Sequence, residues 1–206
     1  LDTTDVVDAS IDEVLVTFLE TTALVVLVIF LFLQNFRAVI IPFITIPVSL
    51  IGTLAVMAAM GFSINTLTLF GLILAIAIVV DDAIVVVENA TRLLDTGEYT
   101  DPKEAVVKAM GEITGPIVGT VLVLLAVFVP TTLISGISGQ LYKQFALTIA
   151  ASTILSGFNS LTLTPALCAL FLKKNKPSNF FLFKGFNKGY NKVQEIYDKT
   201  VGWLLK

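Results

Sequence analysis

The sequence predicts an all-α membrane protein: a bundle of five transmembrane helices followed by an amphipathic helix on the cytoplasmic surface. Three observations carry that expectation. Of 206 residues, 56% are hydrophobic and 14% charged, whereas a water-soluble domain carries about 25% charged residues. Five segments are mostly apolar over about 20 residues or more, the length that crosses a hydrocarbon core roughly 30 Å thick. The basic residues, finally, are distributed unevenly about those segments, which an oriented membrane protein explains.

The spans are expected at 13–33, 38–60, 66–92, 113–134 and 143–172. Ahead of the first, LDTTDVVDASIDEV is acidic and has no positive n-region, so it is not a signal peptide; beginning at Leu1, the chain reads as a piece of something longer. The short connectors QNFR and GFSIN make the first three spans tight antiparallel neighbours. Pro42, Pro47, Pro116 and Pro130 fall inside or at the ends of spans, where neighbouring groups in a membrane bundle re-satisfy the freed carbonyls. After the fifth span KKNKPSN is a polar break. Beyond it Phe186, Tyr190, Val193, Tyr197, Val201 and Leu204 recur at three- and four-residue spacing, with Lys188, Lys192, Lys199 and Glu195 on other faces. With the aromatic run FFLF before it, residues 173–206 read as a break and a helix lying on the membrane surface. A soluble helix packed on another domain is the alternative.

Orientation follows from charge. Arg37, then Arg92, Lys103 and Lys108, then the eight lysines from Lys173 onward lie on one side, and Lys143 alone on the other. Lysine and arginine favour the cytoplasmic side, so residues 173–206 are expected inside and the N-terminus on the opposite, periplasmic face.

The chain has no histidine and a single cysteine, Cys168, in an apolar run. Neither a disulfide framework nor a Cys/His metal site is therefore available, and Cys168 reads as a small packing residue. Gly-rich phosphate loops, GxSxG elbows and HExxH motifs are missing. Nothing in the lysine pattern pairs a basic stripe with stacking aromatics, so no nucleic-acid partner is expected; the lipid bilayer is.

The chemistry-bearing feature is GLILAIAIVVDDAIVVVENATRLL, Gly71 to Leu94, which carries Asp81 and Asp82 side by side at its middle. Along a helix from Asn65 to Arg92, at 1.5 Å per residue, Asp81 lies roughly 24 Å from one end and Asp82 roughly 15 Å from the other. Each ionised carboxylate at a helix centre costs about 2.5 to 3.5 kcal/mol, so the pair costs roughly 5 to 7 unless protonated or partnered. In such surroundings burial and a second acid favour the protonated form of a carboxyl group, and a nearby cation favours the ionised form. A group under both influences is switched by a small rearrangement, as a proton relay requires, and two such neighbours titrate as a coupled pair. The alternative is a fixed intramembrane ion bridge that holds two helices in register. Arg37, Arg92 and Lys143 all sit near span ends, so the expected cationic partner lies outside these residues. Glu20 and Glu88, nearer the interfaces, are expected in solvated or capping roles.

At these residues the chain resembles a known family. VVDDAIVVVENA, with GFSINTLTLFG before it, LFLQNFRA before the second span, VFVP in the fourth and LTLTPALCA in the fifth, is similar to the resistance-nodulation-cell division transporters. The doubled aspartate matches the hydrophobe/amphiphile efflux branch, whereas the heavy-metal branch resembles Asp-Ala-Ala there. The resemblance implies that the five spans are family helices two to six and that the tail is the cytoplasmic surface helix preceding helix seven. It further implies that Asp81 and Asp82 are the proton-translocating pair, with protons as the coupling ion and no other cofactor. By the same resemblance the parent protein is a homotrimer in the bacterial inner membrane, working with a periplasmic adaptor and an outer-membrane channel. The lysine and threonine that face the aspartates belong to second-half helices of the parent chain, so this stretch alone should not pump.

Two other classes compete with a proton-driven multidrug efflux pump. An intramembrane aspartyl protease also uses two carboxylates in the bilayer, but it resembles a Gly-x-Gly-Asp pattern that does not occur around Asp81. A structural membrane scaffold would keep the acids without exchanging protons.

Overall fold

The computed structural model describes residues 4–173 and 181–204. Seven helices follow one another: α1 (Thr4–Leu33), α2 (Phe36–Ala59), α3 (Thr66–Asp95), α4 (Pro102–Thr131), α5 (Ile137–Leu161), α6 (Leu163–Phe171) and α7 (Phe181–Leu204). No strand occurs among the described residues, so the all-α expectation holds.

The connections are short and their chemistry is local. Asn35 caps α2 by accepting the Arg37 amide at 3.0 Å, after Gln34 has turned the chain through a left-handed φ of 50°. Asn65 caps α3 by accepting the amides of Leu67 and Thr68, and the Thr68 hydroxyl oxygen accepts the Asn65 amide at 2.8 Å. This reciprocal box satisfies donors that a helix start otherwise leaves bare. Asp101 does the same for α4, accepting from the Lys103 amide with Pro102 at the first helical position. Gly61, φ 70°, allows the reversal between α2 and α3.

These turns stack the helices around α3, which packs most extensively on α5 and also touches α1, α2, α4 and α6. One buried cluster gathers Ile41, Val86, Val87, Leu94, Ala109 and Cys168 toward the α3 C-terminal end, and a second gathers Ile29, Ile46, Leu50, Ile76 and Val79. Around that interior the outer surface is apolar: Leu27, Ile51, Leu122 and Phe158 are each more than half exposed. A water-soluble chain would not leave such a surface uncovered, and a bilayer covers it.

Four stretches are long and apolar enough to cross a membrane: Phe36–Ala59, Leu67–Asp95, Pro102–Thr131 and Tyr142–Phe171. For the first expected span, 13–33, the structure gives a continuous helix from Thr4, but the apolar stretch among its described residues is the shorter Leu19–Phe32. The expected fourth span, 113–134, corresponds to a helix that begins eleven residues earlier, at Pro102, because the Asp101 cap and not the apolar boundary starts it, and that ends at Thr131, three residues before the expected limit. The fifth, 143–172, is not one straight helix. Thr162 leaves helical geometry with φ −125° and ψ −68°, dividing the span into α5 and α6. Pro165 accounts for the break, since it offers no amide to the Leu161 carbonyl and its ring crowds that carbonyl. The expected polar break at 173–179 lies, from residue 174 on, outside the described residues. In α7 the described side chains are exposed apart from the half-buried Val201, Tyr190, Val193, Tyr197 and Leu204 among them, so exposure singles out no face; the side chain of Phe186 lies outside the described residues.

Candidate functional site

The middle of α3 carries the two aspartates in an otherwise aliphatic run. Between Leu67 and Val87 the helix has fourteen Leu, Ile, Val and Phe residues, each contributing about 0.3 to 0.6 kcal/mol to insertion. Their total, roughly 4 to 8 kcal/mol, is about what two ionised acids cost. Insertion of α3 is therefore near balance, and whatever protonates or partners the acids decides it.

Adjacent positions on a helix point about 100° apart, and the structure separates the pair accordingly. Asp82 turns into the bundle and is 6% exposed, while Asp81 lies on the open side of α3 with Leu74 and Val85. The Ser156 hydroxyl of α5 donates to Asp82 Oδ2 at 2.5 Å, a short bond. Sequence reasoning named both aspartates and missed this partner.

Ser156 belongs to a polar face. Gln144, Thr148, Ser152, Ser156 and Ser160 recur every fourth residue of α5, and the last four are buried. At the Gln144 end, the Asn65 side-chain amide donates to Gln144 Oε1 at 2.7 Å, joining the α3 cap to α5. Beyond Ser156, the Asn159 amide donates to Ser49 Oγ of α2 at 2.7 Å. Between these ends α3 approaches α5 closely: a Cβ on Gly71 would stand 3.4 Å from Thr148 Cβ and from the Phe145 carbonyl. The recurrence at four-residue spacing was the available signal for this face.

The remaining charges stand apart from Asp82. Arg92 of α3 pairs with Glu112 of α4 at 3.1 Å and also donates to Asn89, and Lys108 reaches Glu112 at 3.6 Å. A shallow open groove on α4, lined by Tyr99, Lys103, Val107 and Gly111 among others, borders this exposed cluster and not the aspartates. Glu20 and Glu88 are exposed. Arg37 is exposed as well, and no described cation bonds either aspartate.

The whole chain, residues 1–206, matches the model of the AcrB/AcrD/AcrF family. It is 48% identical over 210 aligned residues to the multidrug resistance protein MdtF of Escherichia coli K12, covering all of this chain and 20% of that protein. The toluene efflux pump membrane transporter TtgB of Pseudomonas putida is 47% identical with the same coverage. The multidrug export protein AcrF of E. coli K12 is 47% identical over 99% of this chain and 20% of its own length. The chain thus spans about a fifth of the length of the curated relatives it matches.

Proposed function

This chain belongs to the AcrB/AcrD/AcrF family, and from that premise we propose that it is the proton-translocating membrane portion of a proton-driven multidrug efflux pump. One observation carries the reading: Asp82, a carboxyl group at the centre of the bundle's central helix, is buried against a hydroxyl donor while its neighbour Asp81 faces the open side. An acid kept in the membrane at this cost marks an ion or proton pathway by default. Asp82 is the site of proton binding within this bundle. Asp81 presents its carboxyl to the rest of the transporter, to the cationic lysine and the hydroxyl-bearing threonine that the family resemblance places on second-half helices. Cycling of the proton between the pair and solvent shifts the equilibrium between two arrangements of the bundle. The energy suffices, since one charge crossing 100 mV releases about 2.3 kcal/mol, enough to change a two-state population about fiftyfold.

The parent transporter then acts as a homotrimer in the bacterial inner membrane and hands its substrate to a periplasmic adaptor and an outer-membrane channel. The N-terminal end of this stretch faces the periplasm, and α7 lies along the cytoplasmic membrane surface. The reading is tested in the full-length protein by Asp81→Asn and Asp82→Asn, each expected to abolish drug efflux while the protein still inserts and assembles. Native efflux from both variants would sink it.

A further inference from the structure

Resting on the reading that α7 lies along the cytoplasmic membrane surface, we propose that α7 and the lysine-rich segment before it dock on anionic phospholipid headgroups, and that Lys184, Lys188 and Lys192 give the preference for negative lipid. The charge of this tail is the first support. Residues 173–206 hold eight lysines against two acids, Glu195 and Asp198, so the net charge of −3 for the whole chain divides into +6 here and −9 elsewhere. About four to eight basic residues following a membrane span or carried by an amphipathic helix are what an anionic leaflet attracts. This tail has both features. Both acids lie in the second half of α7, which leaves Lys184, Lys188 and Lys192 as an unopposed series at four-residue spacing in the first half.

Position and surface supply the rest. The apolar stretch Tyr142–Phe171 ends ten residues before Phe181, the first residue of α7. An extended chain covers about 3.3 to 3.6 Å per residue, so α7 begins within about 35 Å of the end of a membrane helix. A bilayer surface is therefore within its reach. On α7 itself, at about 100° per residue, Tyr190, Val193, Tyr197 and Leu204 fall within a sector of about 60°, and Lys192, Glu195 and Lys199 lie across the helix. Tyrosine and tryptophan are favoured at headgroup level, and Tyr190, Tyr197 and Trp203 are all more than half exposed. The apolar sector suits any bilayer, and the lysines discriminate. With that sector sunk about 5 to 10 Å into the headgroup boundary, lysines of a helix about 10 Å across stay within roughly one Debye length, about 8 Å at physiological salt, of the phosphates. Each then favours negative lipid by about fivefold.

The test uses the full-length transporter, its other cysteines replaced, with a nitroxide on Tyr197→Cys in lipid nanodiscs of phosphatidylcholine alone or mixed with phosphatidylglycerol. Spin relaxation reads the access of a neutral water-soluble nickel chelate and of lipid-soluble oxygen to the label. In the mixed discs the label is expected to be open to oxygen and shielded from nickel, with nickel access about fivefold or more greater in phosphatidylcholine alone, the factor that one lysine supplies. Changing Lys184, Lys188 and Lys192 together to Gln, or adding salt to about 1 M, where the Debye length is about 3 Å, is expected to remove the difference. Arg at the same three positions is expected to keep it. Equal shielding from nickel in both discs, with oxygen access high, overturns the anionic preference and leaves the surface placement standing. Low access to both reagents, as burial against protein produces, or high nickel access in both discs, overturns the placement and the proposal with it. The proton reading is untouched by these outcomes and falls only to native efflux from Asp81→Asn and Asp82→Asn.

Discussion

Two neighbouring aspartates of α3 differ in everything except sequence position. A 100° rotation puts Asp82 against Ser156 and leaves Asp81 uncovered. The doubled acid was legible because an ionised group amid fourteen aliphatic and phenyl residues is expensive whatever surrounds it. Ser156 was not, because serine is tolerated anywhere in a membrane helix, and only its place in the 144–160 recurrence sets it apart. Two of the polar contacts that α5 makes toward its neighbours, Ser156 to Asp82 and Asn159 to Ser49, should differ in strength. A hydrogen bond to a carboxylate contributes about 1.5 to 3 kcal/mol, whereas neutral interhelical bonds in membrane proteins average about 0.6 and reach about 1.7. Double-mutant cycles on thermal unfolding in detergent, at a pH where Asp82 is ionised, should therefore give Asp82→Asn with Ser156→Ala a larger coupling energy than Ser49→Ala with Asn159→Ala. Equal couplings would mean that Ser156 does not hold the charged form.

At the scale of elements, apolar windows located the four long apolar helices, overstated the apolar length of the first expected span, and misjudged where helices begin and bend. Helix α4 starts at Pro102 because Asp101 caps it, eleven residues before the apolar run. The bend at Thr162 comes from Pro165, a signal present in LTLTPALCA that hydropathy does not weigh. Helix pairing, in contrast, depends on contacts that single segments do not reveal. Gly157 is one: a Cβ there would stand 2.6 Å from Val121 Cγ2, so α4 and α5 meet where α5 has no side chain. Val121 is β-branched and has little rotamer freedom in a helix with which to retreat. Overpacking costs about 1 to 3 kcal/mol, and replacing glycine by alanine returns up to about 1 kcal/mol in helix propensity. Gly157→Val should consequently lower the thermal midpoint of the purified protein clearly, and Gly157→Ala less. A raised midpoint for Gly157→Val would show that the two helices are not in contact at this level.

For the molecule as a whole, composition is the strongest predictor, since the exposed Leu, Ile, Val and Phe that ring the bundle require lipid. Sidedness rests on a second, independent property, the placement of charge. The turns at 61–65 and 132–136 lie at one end of the helices, and those at 34–35 and 96–101 at the other. Among the described residues of the bundle, Arg37, Arg92, Lys103, Lys108 and Lys173 lie toward the latter end, with Lys143 near the former. Acids contribute little to this bias, so the net charge of −3 does not oppose it. Cysteines placed singly in these turns decide the matter, because native Cys168 is fully buried and should react slowly. In intact spheroplasts, a membrane-impermeant maleimide should label Ser63→Cys and spare Glu98→Cys until the membrane is permeabilised. The reverse pattern would turn the bundle over and place the ends rich in lysine and arginine on the periplasmic side, against the charge bias.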